Sequence, residues 1–277
     1  MIADILRYEF LQNAFLAGMM IGIIAPLLGV FIVVRRLSLI ADALSHVTLA
    51  GIAVSLFLSK KFETLATMNP LYMGMGFSVI GSLFIERLRA AYRHYQELAI
   101  PIILSAGIGI GVIFISLAKG FTTDIFNYLF GSVSTISRMD LWLVALIAVI
   151  VIAVISLFYK ELFLLSFDED HAKTSGIPVA VIHFAFIVLV ALVIAAAMQI
   201  VGILLVSSLM TLPVAAAMKL AKSFKQTIIL SIVFAEISVL SGLSFAYYLD
   251  LAPGGTIVIM AILFLLSSML IRRWQHR

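Results

Sequence analysis

The chain has 277 residues, of which 64% are hydrophobic and only 12% charged, and its mean hydropathy is +1.21. That composition excludes an ordinary soluble domain and points to a helical membrane protein. The lack of cysteine excludes disulfides and thiolate metal ligands, so any metal must be held by His, Asp, Glu or neutral oxygen. A pI near 9.4 is read as a topology signal from loop lysines and arginines rather than as nucleic-acid binding.

Nine apolar spans are predicted, over about 10–34, 39–58, 65–85, 100–118, 140–158, 179–198, 200–218, 226–248 and 254–271. The first run is too long for the apolar part of a cleavable signal and has no A-x-A site, so it is expected to remain as a span. Pro26 and Pro213 fall inside the first and seventh spans and predict a kink or break in each. Pro101 and Pro178 sit where spans begin, as first-turn prolines do.

The second span opens on Ser38-Leu39-Ile40-Ala41-Asp42-Ala43-Leu44-Ser45-His46, directly after Arg35-Arg36. Asp42 and His46 are one helical turn apart on one face, the spacing by which a helix offers two ligands to one ion. If Arg36 marks the membrane surface, His46 lies about 15 Å deeper, near the middle of a hydrocarbon layer about 30 Å thick. An ionisable pair at that depth points to metal or proton handling. The bland alternative is an Asp–His hydrogen bond that only locks two helices together.

The stretch Glu86 to His94 reads as a loop or short surface helix. Gly107, Gly109 and Gly111 in the fourth span have no preceding strand and no following G-K-[ST], so they predict close helix packing and not a nucleotide loop. Between Lys119 and Asp140, the segment 123–132 is too short to span and too apolar to be solvated, which predicts a re-entrant or interfacial helix. The segment 162–178 differs in kind. Ser166 or Asp168 can cap a short helix there, the acids after it favour a first turn, and Gly176 can end it. Such a helix, held out of the membrane, is a docking surface, although an ordinary surface loop is equally compatible with the residues.

Within the spans the remaining ionisable residues are His183 and Glu236. His183 is near a span end and is expected to face headgroups. Glu236 is a candidate proton carrier or an interhelical hydrogen-bonding group. No Walker A sequence, H-E-x-x-H or G-x-S-x-G occurs. Transport by a non-enzymatic chain is therefore the leading class. No loop exceeds about twenty residues, far below the size of a soluble domain, so residues 1–277 are expected to form one membrane domain.

Arg35-Arg36-Leu37-Ser38-Leu39-Ile40-Ala41-Asp42-Ala43-Leu44-Ser45-His46 resembles the signature of the metal-type ABC importer permeases. Three further blocks occur in that family's order: Tyr128-Leu129-Phe130-Gly131-Ser132, then Ser166-Phe167-Asp168-Glu169-Asp170 with Ala172 and Gly176, then Val201-Gly202-Ile203-Leu204-Leu205-Val206 leading to Leu212-Pro213. The resemblance covers essentially the whole chain. It implies an all-α polytopic fold like that of type II ABC importer permeases, in a bacterial cell membrane, paired as a homodimer. It further implies two cytoplasmic ATPase subunits that bind the ATP, an extracellular metal-binding lipoprotein, and no permanently bound cofactor. Asp42 and His46 would form the transmembrane metal site, and Phe167, Asp168, Glu169, Ala172 and Gly176 the ATPase-coupling helix. Glu9-Phe10, Arg93-His94-Tyr95 and Phe167-Asp168-Glu169-Asp170 resemble zinc-uptake permeases of Gram-positive bacteria, which puts zinc ahead of manganese as cargo. The competing classes are a proton-coupled secondary metal transporter using Asp42, His46 and Glu236, and a membrane scaffold that transports nothing.

With the N-terminus outside, the outer segments keep Arg7, Lys60, Lys61, Lys119 and Arg138, while the other 13 of the 18 lysines and arginines fall on the cytoplasmic side. The expected orientation is N-out, C-in. Single cysteines test it in intact cells: Lys222→Cys is expected to react only with reagents that reach the cytoplasm, and Lys61→Cys with impermeant ones. Reversed labelling of both overturns the orientation.

Overall fold

Hydrocarbon offers no hydrogen bonds, so a chain that crosses it must satisfy each backbone N–H and C=O within its own segment. The computed structural model describes residues 7–62, 67–92, 94–118, 120, 123–134 and 136–275, and among these no strand occurs. The helices are α1 Glu9–Val34, α2 Leu39–Ser59, α3 Pro70–Ala91, α4 Ala99–Leu117, α5 Thr123–Phe130, α6 Arg138–Leu157, α7 Tyr159–Phe167, α8 Glu169–Thr174, α9 Val179–Val201, α10 Ile203–Leu220, α11 Phe224–Leu249 and α12 Pro253–Gln275. Among the described residues, nine are long and apolar enough to cross a membrane, and they match the nine predicted spans. The first two residues of the predicted third span lie outside the described residues, as do Arg93 and Lys119.

The most apolar helix is the hub. α9 packs on α1, α2, α3, α6, α10 and α12, and every residue from Val193 to Val201 is buried, as expected of a helix hydrophobic on all sides. It stops at Gly202, whose backbone (φ +83°, ψ 154°) lies in a region open only to glycine. There the start of α12 comes so close that a Cβ on Gly254 would stand 1.8 Å from the Val201 carbonyl oxygen.

The short helix expected within 123–132 forms. α5 is an eight-residue helix docked against α9, α10 and α12, and Ser132 N–H donates to the Gln199 carbonyl just beyond it (3.0 Å). Two expectations are corrected. α3 does not end near residue 85 but continues through Glu86, Arg87 and Arg89 to Ala91, because the run E-R-L-R-A-A consists of good helix formers even where hydropathy falls. Neither Pro26 nor Pro213 breaks its helix. In a membrane bundle, neighbouring helices and local adjustment can accommodate the backbone group that a proline frees without interrupting the helix.

The two ends of the bundle are held by different polar clusters. At one end Glu9 pairs with Arg138 (2.5 Å). Also there, Asn69, which caps α3, donates to Asp140, which closes the capping box of α6 (3.0 Å). At the other end Arg35, Glu86, Arg89 and His183 converge. The spans thus alternate in direction, as the charge pattern requires.

The approach at Gly254 makes a stability prediction. Gly254→Ala is expected to lower the melting temperature of the detergent-solubilised protein by roughly 5 °C or more through overpacking. Gly109→Ala, which meets nothing within 4 Å, is expected to leave it unchanged. Equal melting of the two variants would show that the α9–α12 approach relaxes freely.

Candidate functional site

α2 is enclosed on two sides by backbone contact. A Cβ on Gly107 of α4 would lie 2.9 Å from Val47 N, and one on Gly51 of α2 would lie 2.8 Å from the Met73 carbonyl oxygen of α3. Gly111 lies against Ala50 while Gly109 faces open space, so two of the three glycines predicted to pack helices do so. This small-residue packing fixes the rotation of α2. From Ile40 to Ala53 every residue is buried except Asp42 and His46, which are half-buried. The two ionisable side chains therefore emerge through the one strip of this stretch that the chain leaves open. Neither makes a hydrogen bond or ion pair among the described residues, so they do not clasp α2 to another helix of the same chain.

Beyond His46 toward the α2 C-terminus the strip is closed. Leu49, Ile52, Met198 and Ile203 form an apolar cluster edged by Leu56, Tyr128 and Leu129. A polar cavity of about 270 Å³ follows, lined by Asn69, Asn127, Asp140 and Gln199 from four different elements, with Leu56 and Tyr128 shared between cavity and cluster. Among the described residues no three His, Asp or Glu side chains converge. One chain offers the open strip only two ligands, and a four-coordinate ion needs more.

The predicted docking segment forms two helices rather than one. α7 continues from α6 after a break at Phe158, and Asp168, not Ser166, is the cap between α7 and α8. Its carboxylate accepts from His171 N–H (2.8 Å). The end of α8 is a Schellman turn: Gly176 N–H donates to the Lys173 carbonyl and Ile177 N–H to the Ala172 carbonyl, with Gly176 at φ +79°. Phe167, Asp168, Glu169 and Gly176 are exposed, whereas Ala172 is fully buried. Ala172 thus seats α8 on the bundle and leaves the outer face to its neighbours. The Lys173 ammonium, 2.8 Å away, holds the Glu169 carboxyl below its ordinary range.

His183 does not face headgroups. It is 7% exposed, with Nε2 2.8 Å from Glu86 Oε1 and 2.6 Å from Arg89 Nη1, and Nδ1 against Arg35 Nη2. The continuation of α3 past residue 85 brings Glu86 and Arg89 to it, a contact no local sequence signal announces. Glu236 on α11 points at Gly22 of α1, and its Oε1 is buried without a hydrogen-bond partner. α11 packs on α1, α10 and α12, away from the Asp42–His46 strip.

A bundle of candidate spanning helices with a short docked helix at one end, an exposed short helix at the other and an open acid–imidazole strip is compatible with a membrane permease. The ABC 3 transport family matches residues 7–272, and the chain belongs to it. It is a multi-pass protein of the cell membrane. A protein of Treponema pallidum named "Probable metal transport system membrane protein" is 35% identical over 94% of this chain and 95% of its own length. The manganese transport system membrane protein MntC of Listeria monocytogenes is 35% identical over 93% of this chain and 89% of its own. Among solved structures, PsaBC from Streptococcus pneumoniae in complex with Fab has a chain that is 33% identical, with a TM-score of 0.83 over 97% of this chain and 95% of that one. Fold and family agree with the resemblance carried by the four sequence blocks.

The Asp168 cap can be tested alone. Asp168→Ala is expected to cost α8 about 1 kcal/mol, read as faster hydrogen exchange at the His171 amide. Unchanged exchange would mean that burial of Ala172, and not the cap, holds the helix.

Proposed function

We propose that the chain is the permease subunit of an ABC importer whose cargo is manganese. In this reading two copies pair about a twofold axis so that their open strips face each other, giving two carboxylates and two imidazoles around one ion. The observation that carries it is the exposure pattern of α2, in which Asp42 and His46 alone escape burial over the fourteen residues 40–53. An ionisable pair left open in the membrane needs a partner, and a second copy supplies one of matching shape. Such a donor set accepts manganese and zinc alike. The balance moves from zinc to manganese because the Listeria monocytogenes relative is named for manganese transport. The site is expected to bind less tightly than a structural one, since cargo must leave again.

ATP hydrolysis belongs to separate cytoplasmic subunits in this reading, seated on the face formed by Phe167, Asp168 and Glu169 and the turn at Gly176. An extracellular metal-binding protein delivers the ion to the opposite mouth. A proton relay through Asp42, His46 and Glu236 is less well supported, because α11 carries Glu236 on the far side of α1 and α10.

The test is uptake of radioactive manganese and zinc in cells expressing variants at matched levels. Asp42→Ala and His46→Ala are each expected to reduce manganese uptake to background, with the dimer still forming and the ATPase still bound. Asp42→Asn is expected to fail nearly as badly, having lost the charge that offsets the cation. Near-normal uptake by Asp42→Ala overturns the site. Wild-type uptake that zinc sustains and manganese does not overturns the choice of cargo.

A further inference from the structure

The cytoplasmic ends of three spanning helices meet in a cavity of about 520 Å³ whose lining includes Arg35, Glu86, Arg89, Glu169, Lys173 and His183. His183 fixes the hydrogen bonding there. A neutral imidazole has one lone pair and one N–H, so it accepts from only one of the two guanidiniums beside it. One assignment satisfies most groups: Nδ1 accepts from Arg35 and Nε2–H donates to Glu86. Arg89 then turns to Glu86 at 3.5 Å and to Gln96 Oε1 at 3.2 Å. One group is left over. The other terminal nitrogen of Arg35, Nη1, is buried without a hydrogen-bond partner.

A buried guanidinium nitrogen without an acceptor is costly. Burial first, and the neighbouring Arg89 second, bring the Arg35 pKa down to about 10, so the residue remains charged near neutral pH and its demand for an acceptor persists. A carboxylate stands across the cavity, that of Glu169 in the first turn of α8, and its field acts on Arg35. In the present arrangement Glu169 is held by Lys173 at 2.8 Å in a half-exposed pair, the kind that contributes little and exchanges readily. Arg35 also occupies a stiff place in the chain. The α1–α2 turn is closed by Leu37 N–H donating to the Ile32 carbonyl, with Arg36 in the left-handed region at φ +57°. Asp42 follows in the first turn of α2.

We propose that Arg35 is a positioning residue that couples α8 to α2. When a cytoplasmic partner shifts α8, Glu169 exchanges Lys173 for the free Nη1 of Arg35, and the turn that begins the metal-bearing helix follows. His183 and Glu86 hold Arg35 in readiness. The inference rests on the reading of α8 as the docking helix.

The test uses the permease co-purified with its cognate ATPase and reconstituted in liposomes, with manganese uptake and ATP hydrolysis measured together. Arg35→Lys keeps the charge and loses the second terminal nitrogen, and His183→Leu keeps bulk and loses both hydrogen bonds. Each is expected to lower uptake per ATP hydrolysed at least tenfold with the ATPase still bound. His183→Gln, which can accept from Arg35 and donate to Glu86, is expected to stay within twofold of wild type. Glu169→Gln is expected to match Arg35→Lys, and the double variant to lose nothing more, since the two act as one pair. Normal uptake per ATP in Arg35→Lys, additive losses in the double variant, or a His183→Gln as impaired as His183→Leu overturns the proposal alone. A wild-type permease that binds no ATPase overturns it together with the docking reading.

Discussion

The close approach of α3 and α4 to α2 is the contact on which the site depends. Apolar side chains gain nothing by leaving lipid for one another, so helices in a membrane associate through close packing and interhelical hydrogen bonds. On α2 the packing is supplied where backbones nearly touch, at Gly107 against His46–Val47 and at Gly51 against Met73–Gly74. A side chain at either position would push a helix outward and free α2 to rotate. A turn of about 100° per residue position would then carry Asp42 and His46 into a wall. Neither glycine reaches the side chain of Asp42 or His46, yet both decide where those side chains point.

Around that fixed helix the polar groups are sorted by depth. Hydrogen-bonded caps tie α3 to α6 at one end, and an arginine–histidine–glutamate cluster ties α1, α3 and α9 at the other. Between them the packing is largely apolar, and the ionisable groups there, the Asp42–His46 pair and Glu236 Oε1, lack hydrogen-bond partners among the described residues. Firm ends with an under-satisfied middle suit a protein that must hold its topology while an ion moves through it.

Much of this was legible in the sequence, because hydrocarbon enforces simple rules. The nine spans followed from runs of apolar residues, the short helix α5 from a segment too short to cross and too greasy to dissolve, and a helix cap at Ser166 or Asp168 from the acids that follow. The boundary at Glu86 was missed because hydropathy and helix propensity diverge there, and only propensity governs where a helix stops once it has left the membrane. The environment of His183 was missed for a stronger reason: its bond to Arg35 joins residues 148 positions apart, and nothing near His183 in the chain encodes that partner. Likewise the i, i+4 spacing placed Asp42 and His46 on one face but could not say that this face would be the open one. That depended on where two other helices come into backbone contact with α2, at Gly107 and at Gly51.

The burial of α9 has a consequence for how the protein is made. A helix entering the membrane during synthesis is judged on its own hydrophobicity, before later helices exist to surround it. α9 therefore has to be greasy enough for lipid at one moment and slender enough for a crowded interior afterwards. Ala191, Ala195, Ala196 and Ala197, all essentially without exposure, answer the second demand, and the flanking valines, isoleucines and leucines answer the first. Larger residues at these alanines would insert as well or better and then fail to assemble. Faults in this helix should therefore surface as correctly inserted protein that is degraded for want of packing.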